Sequence, residues 1–183
     1  MSGQLTVFYG CMFSGKTSAL IDFISQSGLS RNEFTVFKPN IDNRSSNITI
    51  KTHDGRTHDC ISIDTNDELS QFIHPFTKLI AIDEAQFFNK LMMIEIKRLL
   101  NKGIHVVASG LDKDYLARPF GLMPLLIEHA HNKKELFAQC DCSAKANYTY
   151  RKESNKVLVL IGSDNYYQAK CSDCYQQLTA NKG

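Results

Sequence analysis

The chain has 183 residues, 43% of them hydrophobic and 22% charged, a profile that suits one globular domain with a small appendage. A net charge of +2 and a pI near 8.2 argue against a nucleic-acid-coating or membrane-surface protein, so neither partner is expected. No apolar run approaches the roughly 18–20 residues of a membrane span, and Met1-Ser2-Gly3-Gln4 opens no secretory signal. The six cysteines therefore suit a reducing, cytoplasmic setting, and with four of them after residue 139 metal is expected rather than disulfides.

Leu5 to Tyr9 reads as a buried strand. Gly10, Cys11, Met12, Phe13, Ser14, Gly15, Lys16 and Thr17 follow, fitting the phosphate-loop pattern G-x-x-x-x-G-K-[ST], and Thr17 to Ile21 opens a helix. Gly10 and Gly15 let the backbone close on an anion. Inward N–H groups and the helix's positive end then hold it. Lys16 can reach terminal phosphates, and the Thr17 hydroxyl can ligate Mg²⁺.

Apolar residues at Leu20, Ile21, Phe23 and Ile24 give a helix that stops near Gly28. Glu33 to Lys38 is a second strand, ended by Pro39. Residues 40–59 read as one long polar loop carrying Arg44, His53, Arg56 and His58, on the nucleotide side of the sequence. A short strand at Cys60–Ile63, a short helix at Asp67–Phe72 and a buried strand at Lys78–Asp83 come next. Asn89–Asn101 is a helix with Met92, Met93 and Ile96 on a core face, stopped by Gly103. Ile104–Ala108 is a further strand, in which His105 is expected to be no ligand. This alternation predicts an α/β fold, a P-loop parallel sheet flanked by helices. Ligands bind such sheets at the carboxyl ends of the strands. There the P-loop, Asp83 and the Ser109–Asp112 segment can converge.

Past Glu135 the character changes. Leu136–Gln139, Tyr148–Tyr150 and Val157–Ile161 read as strands with little helix between them. The expected division is a P-loop nucleotide-binding domain, 1–135, and a small β unit, 136–183.

Two groups of residues carry chemistry. Asp83 ends a strand where an acidic side chain can hold Mg²⁺. Glu84, one residue on, can take a proton from whatever attacks the γ-phosphate. Water as attacker would make an ATPase, a bound hydroxyl a kinase. Asp83-Glu84-Ala85-Gln86 also matches the D-E-A-x box of nucleic-acid helicases, so a P-loop ATPase or helicase-like module with a zinc ribbon is the alternative. The remaining hundred or so residues are too few for such an enzyme's second domain. The second group is Cys140 with Cys142 and Cys171 with Cys174. Two close thiol pairs read as a Cys₄ zinc site, structural because four thiolates leave no open position.

Together these residues resemble the type II thymidine kinases. The likeness rests on the P-loop, Asp42-Asn43-Arg44, Thr52-His53-Asp54, Asp83 through Phe88, Leu111-Asp112, Arg118-Pro119-Phe120-Gly121, Tyr148-Thr149-Tyr150-Arg151, and Tyr167 placed four residues before Cys171. It implies transfer of the ATP γ-phosphate to the 5′-hydroxyl of thymidine or deoxyuridine, with Glu84 as catalytic base. It implies an ATP site of Gly10 to Thr17, Asp42, Asn43, Arg44, Asp83, Ala85 and Gln86. Met12, Phe87, Leu111, Tyr115, Phe120 and Tyr167 would enclose the nucleoside. Leu158, Val159, Leu160, Ile161 and Gly162 would start a lasso loop whose backbone reads the pyrimidine. A homotetramer is implied as well. The chain departs from the family pattern at Cys11, usually Pro; at Ala85, commonly Gly; at Tyr115, commonly Phe; and at Cys140-x-Cys142, one residue shorter than C-x-x-C.

Overall fold

A computed structural model describes residues 2–41, 49–52, 55–152 and 166–180. In chain order, β1 (Leu5–Tyr9) leads to α1 (Lys16–Gln26) and β2 (Phe34–Pro39). Then come β3 (Thr49–Lys51), β4 (Thr57–Asp59), β5 (Ile61–Ile63) and β6 (Leu79–Ile82). They are followed by α2 (Leu91–Asn101), β7 (His105–Gly110), α3 (Met123–His129) and β8 (Asn132–Glu135). The last elements are β9 (Ala138–Gln139), β10 (Lys145–Ala146), β11 (Tyr148–Arg151), β12 (Tyr167–Lys170) and α4 (Ser172–Ala180).

Six strands form one parallel sheet in the order β5-β2-β6-β7-β1-β8. Alternate side chains explain why it is covered on both faces. Leu5, Val7, Ile80, Ile82, Val106 and Ala108 join one apolar cluster with Met92, Ile96 and Leu99 of α2 and Met123 and Leu126 of α3. Phe8, Leu79, Ala81 and Val107 join the other, with Leu20, Ile21 and Ile24 of α1. Strands with two apolar faces belong in a parallel sheet wrapped by helices. The crossovers bring the carboxyl ends of β1, β6 and β7 together, and the phosphate loop, Asp83 and Leu111 follow directly from them.

Several elements differ from the sequence expectation. Part of the expected polar loop 40–59 is an antiparallel hairpin, β3 against β4, held because Ile50 is buried under α1's apolar cluster. The helix expected at Asp67–Phe72 is a single 3-10 turn, Leu69–Gln71. His105 opens β7 on the surface, where its Nδ1 accepts the Gln4 N–H at 3.2 Å. Five further elements have no counterpart in the sequence reading: α3; β8, a polar Asn-Lys-Lys-Glu strand hydrogen-bonded along β1; β10; β12; and α4, which carries Cys174. The strand expected at Val157–Ile161 lies outside the described residues.

Beyond β8 the chain forms two short antiparallel pairs, β9 with β10 and β11 with β12. Their shared core is small: Cys11, Cys140, Ala146, Ala169 and Cys171.

Candidate active site

The phosphate loop is built around one buried amine. Lys16 opens α1, and its Nζ donates to the Cys11 carbonyl at 2.7 Å; the Ser14 hydroxyl donates to the same carbonyl at 2.8 Å. Gly10 is required where it stands, since a Cβ there would sit 2.1 Å from the Leu136 carbonyl oxygen. Phe13 takes φ of 66°, a left-handed backbone uncommon for a bulky residue and concentrated at ligand-binding turns. Burial pushes the Lys16 amine below its ordinary range, while Glu84 nearby opposes that shift. An arriving phosphate would favour its charged form.

The end of β6 supplies the acids. Asp83 is buried; one carboxylate oxygen accepts the Thr17 hydroxyl at 3.0 Å and the other accepts the Ser109 hydroxyl. A hydroxyl beside a carboxylate is an oxygen donor set that fits Mg²⁺. Glu84 also has left-handed backbone, φ 53°. That turn swings its carboxylate off the strand axis into the cleft lined by Met12, Phe13, Gly15, Lys16, Thr17, Lys51, Thr52 and Leu111. Burial, and then the Asp83 charge, raise the Glu84 carboxyl above its usual range; Lys16 and a hydrogen bond from Gln86 oppose the rise. Its side chain is still partly open to solvent.

Gln86 uses both ends of its amide within the protein. Nε2 donates to Glu84 at 2.5 Å, and Oε1 accepts the Leu111 N–H at 3.0 Å. Gly121 closes this corner, because a Cβ there would lie 1.7 Å from the Gln86 carbonyl oxygen. Phe87 meets Phe120 edge to face, ring centroids 5.5 Å apart.

The four thiols of Cys140, Cys142, Cys171 and Cys174 have their sulfurs within 4.8 Å of one another, and Cys142 and Cys171 lie 3.6 Å apart. Tetrahedral zinc with Zn–S near 2.3 Å needs sulfurs about 3.8 Å apart, so the cluster fits that ion. The short Cys140-x-Cys142 pair still delivers both sulfurs, from a tight turn between β9 and β10 in which the Ser143 N–H donates to the Cys140 carbonyl at 2.8 Å and the Cys140 N–H donates to the Ala144 carbonyl at 2.9 Å. Backbone hydrogen bonds from Cys142 and Cys171 lower the Cys140 thiol to about 6, whereas its three thiol neighbours, Cys171 first, push Cys174 up to about 12.

A family model described as thymidine kinase matches residues 3–175. The chain belongs to the thymidine kinase family. Curated relatives agree. A thymidine kinase of Bacteroides fragilis is 34% identical over 96% of this chain and 88% of its own length. One of Bdellovibrio bacteriovorus is 35% identical over 92% and 83%. One of Bacteroides thetaiotaomicron is 34% identical over 99% and 91%. The chain is thus a thymidine-kinase-family enzyme, and the helicase-like alternative is set aside.

In this family member Gly10 to Thr17, Asp83, Glu84, Gln86 and Leu111 come together at one end of the sheet. Ala85 is buried behind them in the core, and Tyr167 is buried in β12. Tyr115 stands further round, its ring under the Arg151 guanidinium at 3.5 Å and its carbonyl accepting the Tyr175 hydroxyl at 2.8 Å. Asp42, Asn43, Arg44, His53, Asp54 and Leu158 to Gly162 lie outside the described residues. Three contributors escaped the sequence reading as site residues. Ser109 holds Asp83, Thr149 accepts the Met12 N–H at 3.0 Å, and Lys51 lines the cleft. Ser109 and Thr149 sit in segments the sequence does mark, at a strand end and in Tyr148-Thr149-Tyr150-Arg151. Lys51 carries no such signal.

Proposed function

We propose that this enzyme transfers the γ-phosphate of ATP to the 5′-hydroxyl of thymidine or deoxyuridine, in salvage of pyrimidine deoxynucleotides for DNA synthesis. One observation carries the reading: the proton acceptor Glu84 and the phosphate-loop residues Lys16 and Thr17 line one cleft, beside the apolar Met12 and Leu111. A nucleoside seated on the apolar side would present its hydroxyl between the acid and the phosphates.

The roles follow from the contacts. Loop N–H groups and Lys16 bind the phosphates and offset their charge. Thr17 and Asp83 are the residues that would hold magnesium, which when bound neutralises charge on the transferring group. Glu84 takes the hydroxyl proton, through the carboxylate oxygen that Gln86 leaves free. The new O–P bond forms as the bond from the γ-phosphorus to the bridging oxygen breaks, and ADP leaves. Arg44 is assigned a second cationic role, with Asp42, Asn43 and Ala85 completing the ATP site. Phe87, Phe120, Tyr115 and Tyr167 are assigned to the nucleoside enclosure. Leu158 to Gly162 are assigned backbone contacts to the base. Covering the nucleoside would exclude water and favour transfer over hydrolysis.

The same reading has residues 1–135 as the kinase domain and 136–183 as the zinc-stapled unit, in a cytoplasmic homotetramer. Among the described residues no helix is long and apolar enough to cross a membrane. The test is a nucleoside panel with Mg·ATP. Thymidine and deoxyuridine should yield 5′-monophosphates. ATP consumption that responds to single-stranded nucleic acid and to no nucleoside would overturn the reading.

A further inference from the structure

We propose that Cys11 is a positioning residue that docks the phosphate loop on the zinc unit, so that metal binding and nucleotide binding strengthen each other. The proposal rests on the phosphate-site reading above and extends it.

Cys11 faces two ways. Its carbonyl holds the Lys16 ammonium at 2.7 Å and the Ser14 hydroxyl at 2.8 Å. Its side chain is 2% exposed and donates from Sγ to the Ala146 carbonyl at 3.3 Å. Ala146 pairs with Ala138 across β9 and β10, the ribbon whose turn carries Cys140 and Cys142. The adjacent residue repeats the tie: the Met12 N–H donates to Thr149 on β11. The apolar cluster around the thiol buries two of the four clustered cysteines, Cys140 and Cys171, with Ala146 and Ala169, and Cys174, Ala138 and Phe13 pack against it.

The physical consequence is a linkage. Strands two residues long do not hold a ribbon by themselves, and a structural metal contributes folding free energy to its unit. Without the metal, the surface that receives the Cys11 thiol and the Met12 N–H is no longer fixed. The carbonyl that aims Lys16 then loses its support. Linkage makes the effect reciprocal: bound nucleotide must tighten the metal by the factor by which the metal tightens nucleotide. Cys11, which stands where proline is usual in the family, thus replaces local stiffness with a tie to a neighbouring unit.

The test needs no nucleoside. Zinc affinity is measured by competition with a chromogenic chelator, with and without a saturating non-hydrolysable ATP analogue and Mg²⁺. Analogue affinity is measured on zinc-loaded and metal-free chain. The expected coupling is roughly three- to tenfold, the scale of one or two buried hydrogen bonds. Cys11→Ala should bind zinc, bind the analogue more weakly by about that factor, and lose the coupling. Cys11→Ser, which keeps a donor for the Ala146 carbonyl, should restore it. If the thiol only fills space, both smaller residues fail alike, and that result overturns the proposal. Equal zinc affinity with and without analogue, in a native chain that binds the analogue, overturns it as well. A native chain that binds no analogue instead overturns the phosphate-site reading and the docking role with it.

Discussion

The parallel sheet and the cysteine unit are held by different forces. In the sheet, Leu5, Phe37, Ile80, Ile96 and Leu126 are all but completely buried, and alternate residues fill both faces. Apolar burial suffices there. In the cysteine unit the shared core is cysteine and alanine, and four sulfurs converge instead. Among the described residues the unit meets the sheet region through Cys11 to Ala146, Met12 to Thr149, Tyr175 and Arg151 to Tyr115, and Lys113 over Tyr148, with Tyr175 stacked on Tyr148 at 4.7 Å. The sheet can therefore present catalytic groups rigidly, while the cysteine unit, with so small a core, would draw the same rigidity from a metal held by its four thiols.

Three substitutions sharpen this contrast, beginning with the largest effect. Glu84→Gln should lower turnover roughly 10²–10⁴-fold, leaving Mg·ATP affinity and zinc content unchanged, as checked by single-turnover transfer and analogue binding. Cys171→Ser should weaken zinc by more than the roughly 10–100-fold that loss of an outer-shell partner costs. Hydrogen exchange should then rise across β9 to β12 and α4 while the sheet stays protected. Uniform deprotection would erase the distinction between the two regions. Ile96→Ala, in the sheet core, should cost about 2–5 kcal/mol in denaturant unfolding, with the same cost in the presence or absence of a zinc chelator.

The smallest effect concerns pH. Glu84 has its carboxyl raised above the ordinary value of 4.5. A raised acid stabilises the fold below its ordinary range and loses that contribution as pH rises through the folded value. Glu84→Gln should therefore raise the thermal midpoint at neutral pH and leave it unchanged at pH 4. Activity runs the other way, since the base works ionised, so the acid limb of kcat/KM should lie above 4.5. An acid limb at or below the ordinary carboxylate value would contradict the burial of this group.

The sequence made the phosphate half of the site legible because Gly10 to Thr17 are consecutive and their chemistry is local. Asp83 and Glu84 were legible for the same reason, at the end of an apolar run. The edge strand β8 was not, because Asn-Lys-Lys-Glu has no apolar face and pairs through backbone alone. Helix α4 was hidden by its single buried side chain, Tyr175. The contacts of Ser109 and Thr149 join residues far apart in the chain, which no spacing rule reaches. The short Cys140-x-Cys142 pair looked deficient by count, yet a turn closed by the Ser143 N–H on the Cys140 carbonyl leaves both sulfurs in the cluster.

The most direct measurement follows the label from γ-phosphate-labelled ATP in the presence of thymidine. In the native chain it should appear on the thymidine 5′-oxygen, and with Glu84→Gln it should remain on bound ATP. Label released to water at the same rate whether or not thymidine is present, or transfer undiminished in Glu84→Gln, would contradict the assignment of that carboxylate as the group that receives the hydroxyl proton.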